Sequence, residues 1–167
     1  MGDDIMARPD TRRMTSTIPP EGTTLFLIGM SLPRPWHPRA WLGVFLAMPR
    51  MLMFLKRHPE AGLLSSRLYV GSSIMVVSYW RSAEDVRRFA ADPDAPHRPA
   101  WQWFTKRYAD TNAVGIWHET YVIGEHETIY GGMPPYGLAD AVGAQPLGRG
   151  TRTAAQRAER NRRYALG

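Results

Sequence analysis

The order of apolar runs along this chain predicts an α+β fold, and three observations carry that expectation. A compact apolar run from Thr23 to Met30 lies between Pro19-Pro20 and Pro33, the signature of a strand bounded by breakers. Two further strand-like runs, Leu63 to Val70 and Ile74 to Trp80, are joined across Gly71-Ser72-Ser73 and read as an antiparallel hairpin. Stretches with three- and four-residue apolar spacing separate the strands. With 167 residues, 44% of them hydrophobic and 11% aromatic, the chain is long enough for one domain with a real core. The expected organisation is a disordered leader over residues 1–20, one domain over 21–146, and a basic disordered tail over 147–167.

The first helix follows the first strand. Pro38 suits a first helical turn, and Trp41, Val44, Phe45, Met48, Met51, Leu52 and Leu55 then recur at helical spacing until His58-Pro59 and Gly62. Leu42, Leu46 and Met53 cover its other sides, so more than one face is expected to be buried. Pro49 removes one helical hydrogen bond and should kink or split the helix. After the hairpin, Ser82 is placed to cap a helix whose first turn holds Glu84 and Asp85 and whose inward stripe is Val86, Phe89 and Ala90. Asp92-Pro93 ends it, and a second helical piece near Pro96 or Pro99 aligns His97, Trp101, Phe104 and Tyr108 on one face. Val114 to Ile123 is the last strand.

This β-α-β-β-α-β order is the split βαβ pattern of the ferredoxin-like fold. Such a sheet carries helices on one face only, yet these strands are apolar on both sides: Ile74, Val76 and Trp80 alternate with Met75, Val77 and Tyr79. The bare face calls for a partner. The expectation is therefore a homodimer in which two sheets form a dimeric α+β barrel, with Glu127 to Leu138 reaching across to the neighbour.

Charge and composition exclude several classes. The net charge of +6 suggests a nucleic-acid partner until it is located: six arginines against Glu159 give residues 147–167 a charge of +5, leaving +1 elsewhere. An arginine-rich end is read as a solvated extension, and no nucleic-acid module is visible. The absence of cysteine rules out disulfides, thiolate metal sites and a cysteine nucleophile, and fits a cytoplasmic protein. Ala40 to Leu55, the longest apolar run, is broken by Pro49 and Arg50 and falls short of the roughly 20 residues of a membrane span. The first 20 residues contain no apolar stretch of the signal-peptide kind.

Four stretches carry a family likeness: Trp36-His-Pro-Arg-Ala-Trp-Leu with Met48-Pro-Arg-Met51, Tyr79-Trp-Arg-Ser-Ala-Glu-Asp85, His97-Arg-Pro-Ala-Trp101, and Gly115-Ile-Trp-His-Glu-Thr-Tyr121. Together, over about Thr24 to Leu138, they resemble the fumagillin-pathway monooxygenase-like family, a former domain of unknown function related to the antibiotic-biosynthesis monooxygenases. The resemblance implies a dimeric barrel with a pocket between sheet and helices, and oxygenation without metal or flavin. In that chemistry the anion of an electron-rich phenol or enol reduces dioxygen itself. The protein supplies deprotonation, orientation and an apolar cavity. The sequence is compatible with it, since no Gly-rich dinucleotide loop, Walker loop or two-His-one-carboxylate cluster is present.

Several residues are candidates for the site. His118 interrupts an apolar strand and is the candidate general base, because a neutral imidazole can take a phenolic or enolic proton. It alternates with Trp117 and Tyr121, so either face of the strand could border a pocket. His97 shares a helical face with Trp101 and could be a second base or a haem ligand, or cap its helix. Trp80 ends a strand where barrel pockets open, and Arg50, beside Pro49, could hold a substrate carboxylate. Plain packing or solvation is the alternative for each. Three function classes remain: a cofactor-independent monooxygenase acting on a small hydrophobic metabolite, a haem-binding barrel enzyme, and a non-enzymatic ligand-binding dimer.

Overall fold

The computed structural model describes residues 12–31, 38–71, 73–108 and 114–165. Its strands are β1 (Met14–Ser16), β2 (Thr24–Ser31), β3 (Leu63–Val70), β4 (Ile74–Trp80), β5 (Gly115–Val122) and β6 (Ala144–Pro146). Its α-helices are α1 (Pro38–Arg57), α2 (Ala83–Ala91), α3 (His97–Tyr108), α4 (Leu138–Val142) and α5 (Ala154–Ala165). The chain divides into two compact units, Gly22–Val122 and a terminal one made of Met1–Glu21 with Ile123–Gly167.

The central unit holds the antiparallel four-stranded sheet, in the order β3-β4-β2-β5. With α1 between β2 and β3 and with α2 and α3 between β4 and β5, this is the ferredoxin-like topology. Register sorts the strands into two faces. Ile28 is opposite Val76 and His118, and Phe26 is opposite Ser78 and Thr120, so these side chains share one face. Leu27, Val77, Glu119 and Arg67 form a row on the other.

The helices pack on the first face. Leu55 of α1 and Val86 of α2 close on Trp80, which is 2% exposed, and Phe45 with Phe104 close on Met30 and Ile74. Burying each such side chain is worth roughly 1.5–3 kcal/mol. Gly43 lets α1 and α3 approach, since a β-carbon there would sit 2.8 Å from the Trp103 indole. Helix α1 runs unbroken through Pro49, so the proline does not split it. Leu42, Leu46 and Met53 on its outer sides, expected to be covered, are exposed. Ser82 caps α2 as expected: its Oγ accepts the Asp85 amide at 3.0 Å and donates to the Asp85 carboxylate at 3.0 Å.

The terminal unit corrects the expectation of disordered ends. Part of the leader is strand β1, which pairs antiparallel with β6, while residues 1–11 lie outside the described residues. The basic tail forms helix α5, with Arg157 at 4% and Asn161 at 3% exposure. Arg157 Nε donates to Glu127 at 2.7 Å, Arg160 donates to the Ser16 carbonyl at 3.0 Å, and Asn161 donates to the His126 carbonyl at 2.9 Å. These three residues share one helical face, so the inward stripe of α5 is polar where a sequence pattern would look for apolar residues. The segment expected to reach a neighbouring subunit pairs within the chain: Thr128 Oγ1 accepts the Ser16 amide at 2.9 Å, and Tyr130 exchanges backbone hydrogen bonds with Met14. Among the described residues no helix is long and apolar enough to cross a membrane.

Candidate functional site

Between the sheet and its helices lies a cavity of about 620 Å³, inside the usual range for small-molecule sites. Its inner end is apolar and buried, formed by Met48 and Leu55 of α1, Val76 and Trp80 of β4, and Val86 of α2. The Trp80 and Phe89 rings meet here with centroids 5.6 Å apart. Among the described residues, Ser78 is the one buried polar group of the lining, and it is already engaged. Its hydroxyl donates to the Phe26 carbonyl at 3.0 Å and accepts Trp80 Nε1 at 3.0 Å.

The remaining polar lining residues are more open to solvent, so the cavity grades from apolar depth to polar mouth. His118 and Thr120 come from β5, Arg98, Trp101 and Gln102 from α3, and Arg87 from α2. The His118 ring tilts toward Phe26 at 5.8 Å between centroids, which seats the imidazole against an aromatic neighbour while leaving it open to a ligand. Trp101 is 51% exposed, a large apolar side chain kept at the rim. Arg87 is bound to Glu84 through Nη2 and Nε at 2.7 and 3.1 Å.

Of the residues expected from the sequence, His118, Trp80 and Trp101 are brought together around this cavity. Arg50, Trp117 and Tyr121 are not. Arg50 is exposed on α1 and does not line the cavity. Trp117 and Tyr121 project from the opposite sheet face: a β-carbon on Gly29 would fall 2.7 Å from the Trp117 indole, and Tyr121 Oη donates to Glu119 at 2.9 Å. That bond to an anion raises the Tyr121 phenol above its ordinary range. The His97 side chain lies outside the described residues, as do those of Trp41, Val44 and Tyr108. Sequence reasoning passed over Thr120, Arg98 and Gln102. The first shares its face with His118 by the two-residue strand period, and the other two are four apart on α3. No group of three or more His, Cys, Asp and Glu among the described residues could hold a metal ion.

Comparison with solved structures returns low-identity likenesses, which concern the fold alone. An aldoxime dehydratase solved with butyraldoxime aligns at 16% identity and a TM-score of 0.62, covering 85% of this chain and 42% of the dehydratase. SnoaB, a cofactor-independent oxygenase from Streptomyces nogalater, aligns at 15% identity and a TM-score of 0.44 over 63% of this chain and 96% of its own. A dimeric protein of unknown function and ferredoxin-like fold from Bacteroides fragilis aligns at 13% identity and a TM-score of 0.41 over 62% of this chain and 98% of that one. No curated protein matches. Residues 23–138, a span that holds the whole sheet, its helices and the cavity between them, match the monooxygenase af470-like family, and the chain belongs to that family.

Proposed function

We propose that the chain is a monooxygenase-like oxidoreductase that works without a bound cofactor, as a homodimer, on a small hydrophobic metabolite of aromatic or enolic character. The observation that carries this reading is His118, the one described imidazole in the lining, on the wall of a largely apolar cavity in a chain of a monooxygenase-like family. His118 takes the proton of an activated C–H or O–H. The substrate anion passes an electron to dioxygen, the two radicals join in a C–O bond, and the peroxide then loses water. For a methylene carbon, one dioxygen is consumed, a carbonyl replaces the two C–H bonds, and one water leaves, with the substrate supplying every electron. Trp80 and Trp101 hold the ring system. Trp117 and Tyr121 belong instead to the sheet face that a second copy would cover, together with Leu25, Leu27 and Val77.

The test is oxygen consumption and product analysis with a panel of phenols and enolizable ketones, in air and under nitrogen. His118→Ala should lower turnover by roughly 10²–10⁴-fold, the usual contribution of a general base, with the circular dichroism spectrum unchanged. Turnover that survives the substitution removes His118 from the mechanism. A strong visible absorption band in the purified protein selects the haem alternative, and ligand binding without turnover selects the non-enzymatic one. Light scattering that finds a folded monomer at micromolar concentration refutes the homodimer.

A further inference from the structure

We infer that the natural ligand of this cavity is an organic acid, with a ring-bearing apolar body and one anionic group held at the mouth by Arg98 and Gln102. The inference deepens the oxygenase reading of the same site by naming the substrate class. Among the described residues the cavity lining contains two arginines and no aspartate or glutamate, so their formal charge is positive before any ligand enters. The Arg87 charge is shared with Glu84 at 2.7 Å. Arg98 is different: among the described residues no carboxylate lies within ion-pairing distance of it. Gln102 stands one helical turn further along α3 and lines the same cavity, bringing an amide N–H donor to the same side of the helix.

The gradient of burial fixes the orientation. Trp80, Val86 and Leu55 are 2%, 7% and 3% exposed at the inner end, and Ser78 there has no hydroxyl proton to spare, so a charged group would lose its hydration without a partner. The apolar body therefore enters first and the acid stays at the rim. Trp101, half exposed between Arg98 and Gln102, is placed to cover a ring. His118 lines the same mouth, so the carbon that loses its proton lies near the acid end, where a guanidinium also favours the anion formed.

The experiment uses two fluorescent probes that share a skeleton, 1-anilinonaphthalene-8-sulfonate and the neutral N-phenyl-1-naphthylamine, titrated against the full chain. Arg98→Ala should weaken the sulfonate roughly tenfold, the worth of a charge-assisted contact at a partly solvated rim, and change the neutral probe less than twofold. Arg98→Lys should recover part of the loss. Ala91→Trp, at an exposed position of the lining, should weaken both probes. A sulfonate affinity that Arg98→Ala leaves within twofold overturns the inference, and so does sulfonate binding that Ala91→Trp does not affect, since the anion then sits elsewhere. The titrations read binding and not turnover. A protein that binds the acid selectively but consumes no oxygen defeats the oxygenase reading alone, and an active enzyme indifferent to Arg98 defeats this inference alone.

Discussion

Replacing Arg157 with methionine should open the terminal unit, because one buried guanidinium ties three of its segments together. Arg157 is 4% exposed, and its Nε holds Glu127 at 2.7 Å while Nη1 donates to the carbonyls of Thr151 and Arg152 at 3.1 and 3.2 Å. Methionine keeps much of the apolar stem, so the loss is mainly polar. An ionic hydrogen bond is worth about 1.5–3 kcal/mol and each carbonyl bond about 1 kcal/mol. Breaking a fully buried pair costs roughly 3–5 kcal/mol, but Glu127 is 35% exposed and regains water, which places the net effect near about 3 kcal/mol. At about 1.4 kcal/mol per factor of ten, local opening becomes on the order of a hundred times more frequent. The assay is amide hydrogen exchange at Met14 and Thr17, whose N–H groups bond to the carbonyls of Tyr130 and Gly143. A change below threefold at both amides would refute the idea that Arg157 is structural, and would return the tail to a solvated extension.

Three further outcomes are expected. Gly62 has φ +95° and a β-carbon there would lie 2.6 Å from the Asp85 carboxyl, so Gly62→Ala should lower stability by roughly 2–4 kcal/mol, read as a shift in urea midpoint; an unchanged midpoint would show that the corner relaxes freely. Glu125 and Glu159 lie below their ordinary value of 4.5 because Arg162 and Arg163 hydrogen-bond to their charged forms. Their contribution is therefore complete above that value and is lost as pH falls through the depressed folded values, so α5 should fray in acid; exchange of its amides that slows as pH drops below 4.5, after correction for intrinsic rates, would contradict the sign. Arg81→Ala should loosen the turn before α2, since its guanidinium donates to the Glu60 carbonyl at 2.6 Å and pairs with Asp85 at 3.4 Å; the exposed position limits the loss to roughly 1 kcal/mol, and a loss above about 3 kcal/mol would mean the pair is more buried than it stands here.

The residues by themselves determined the central unit. Proline breakers around Thr24–Ser31, the glycine-serine turn before Ile74, and the Ser82 cap with its acidic first turn are local signals, and each element lies where those signals place it. The family was legible for the same reason, because its motifs fall on contiguous stretches within 23–138. Which face of β5 borders the cavity was not legible. Alternation separates His118 from Trp117, but only the packing of α1, α2 and α3 on the Ile28 and Val76 side assigns His118 to the pocket and leaves Trp117 over Gly29 on the other face. The ordered tail was hidden for a related reason. A hydrophobic pattern reveals a buried face when that face is apolar, whereas α5 buries Arg157 and Asn161, whose desolvation is offset by Glu127, by the neighbouring Arg160 and by backbone carbonyls outside the helix. Local propensity and periodicity are properties of a segment, while the partner that makes a buried charge tolerable exists only once the chain has folded.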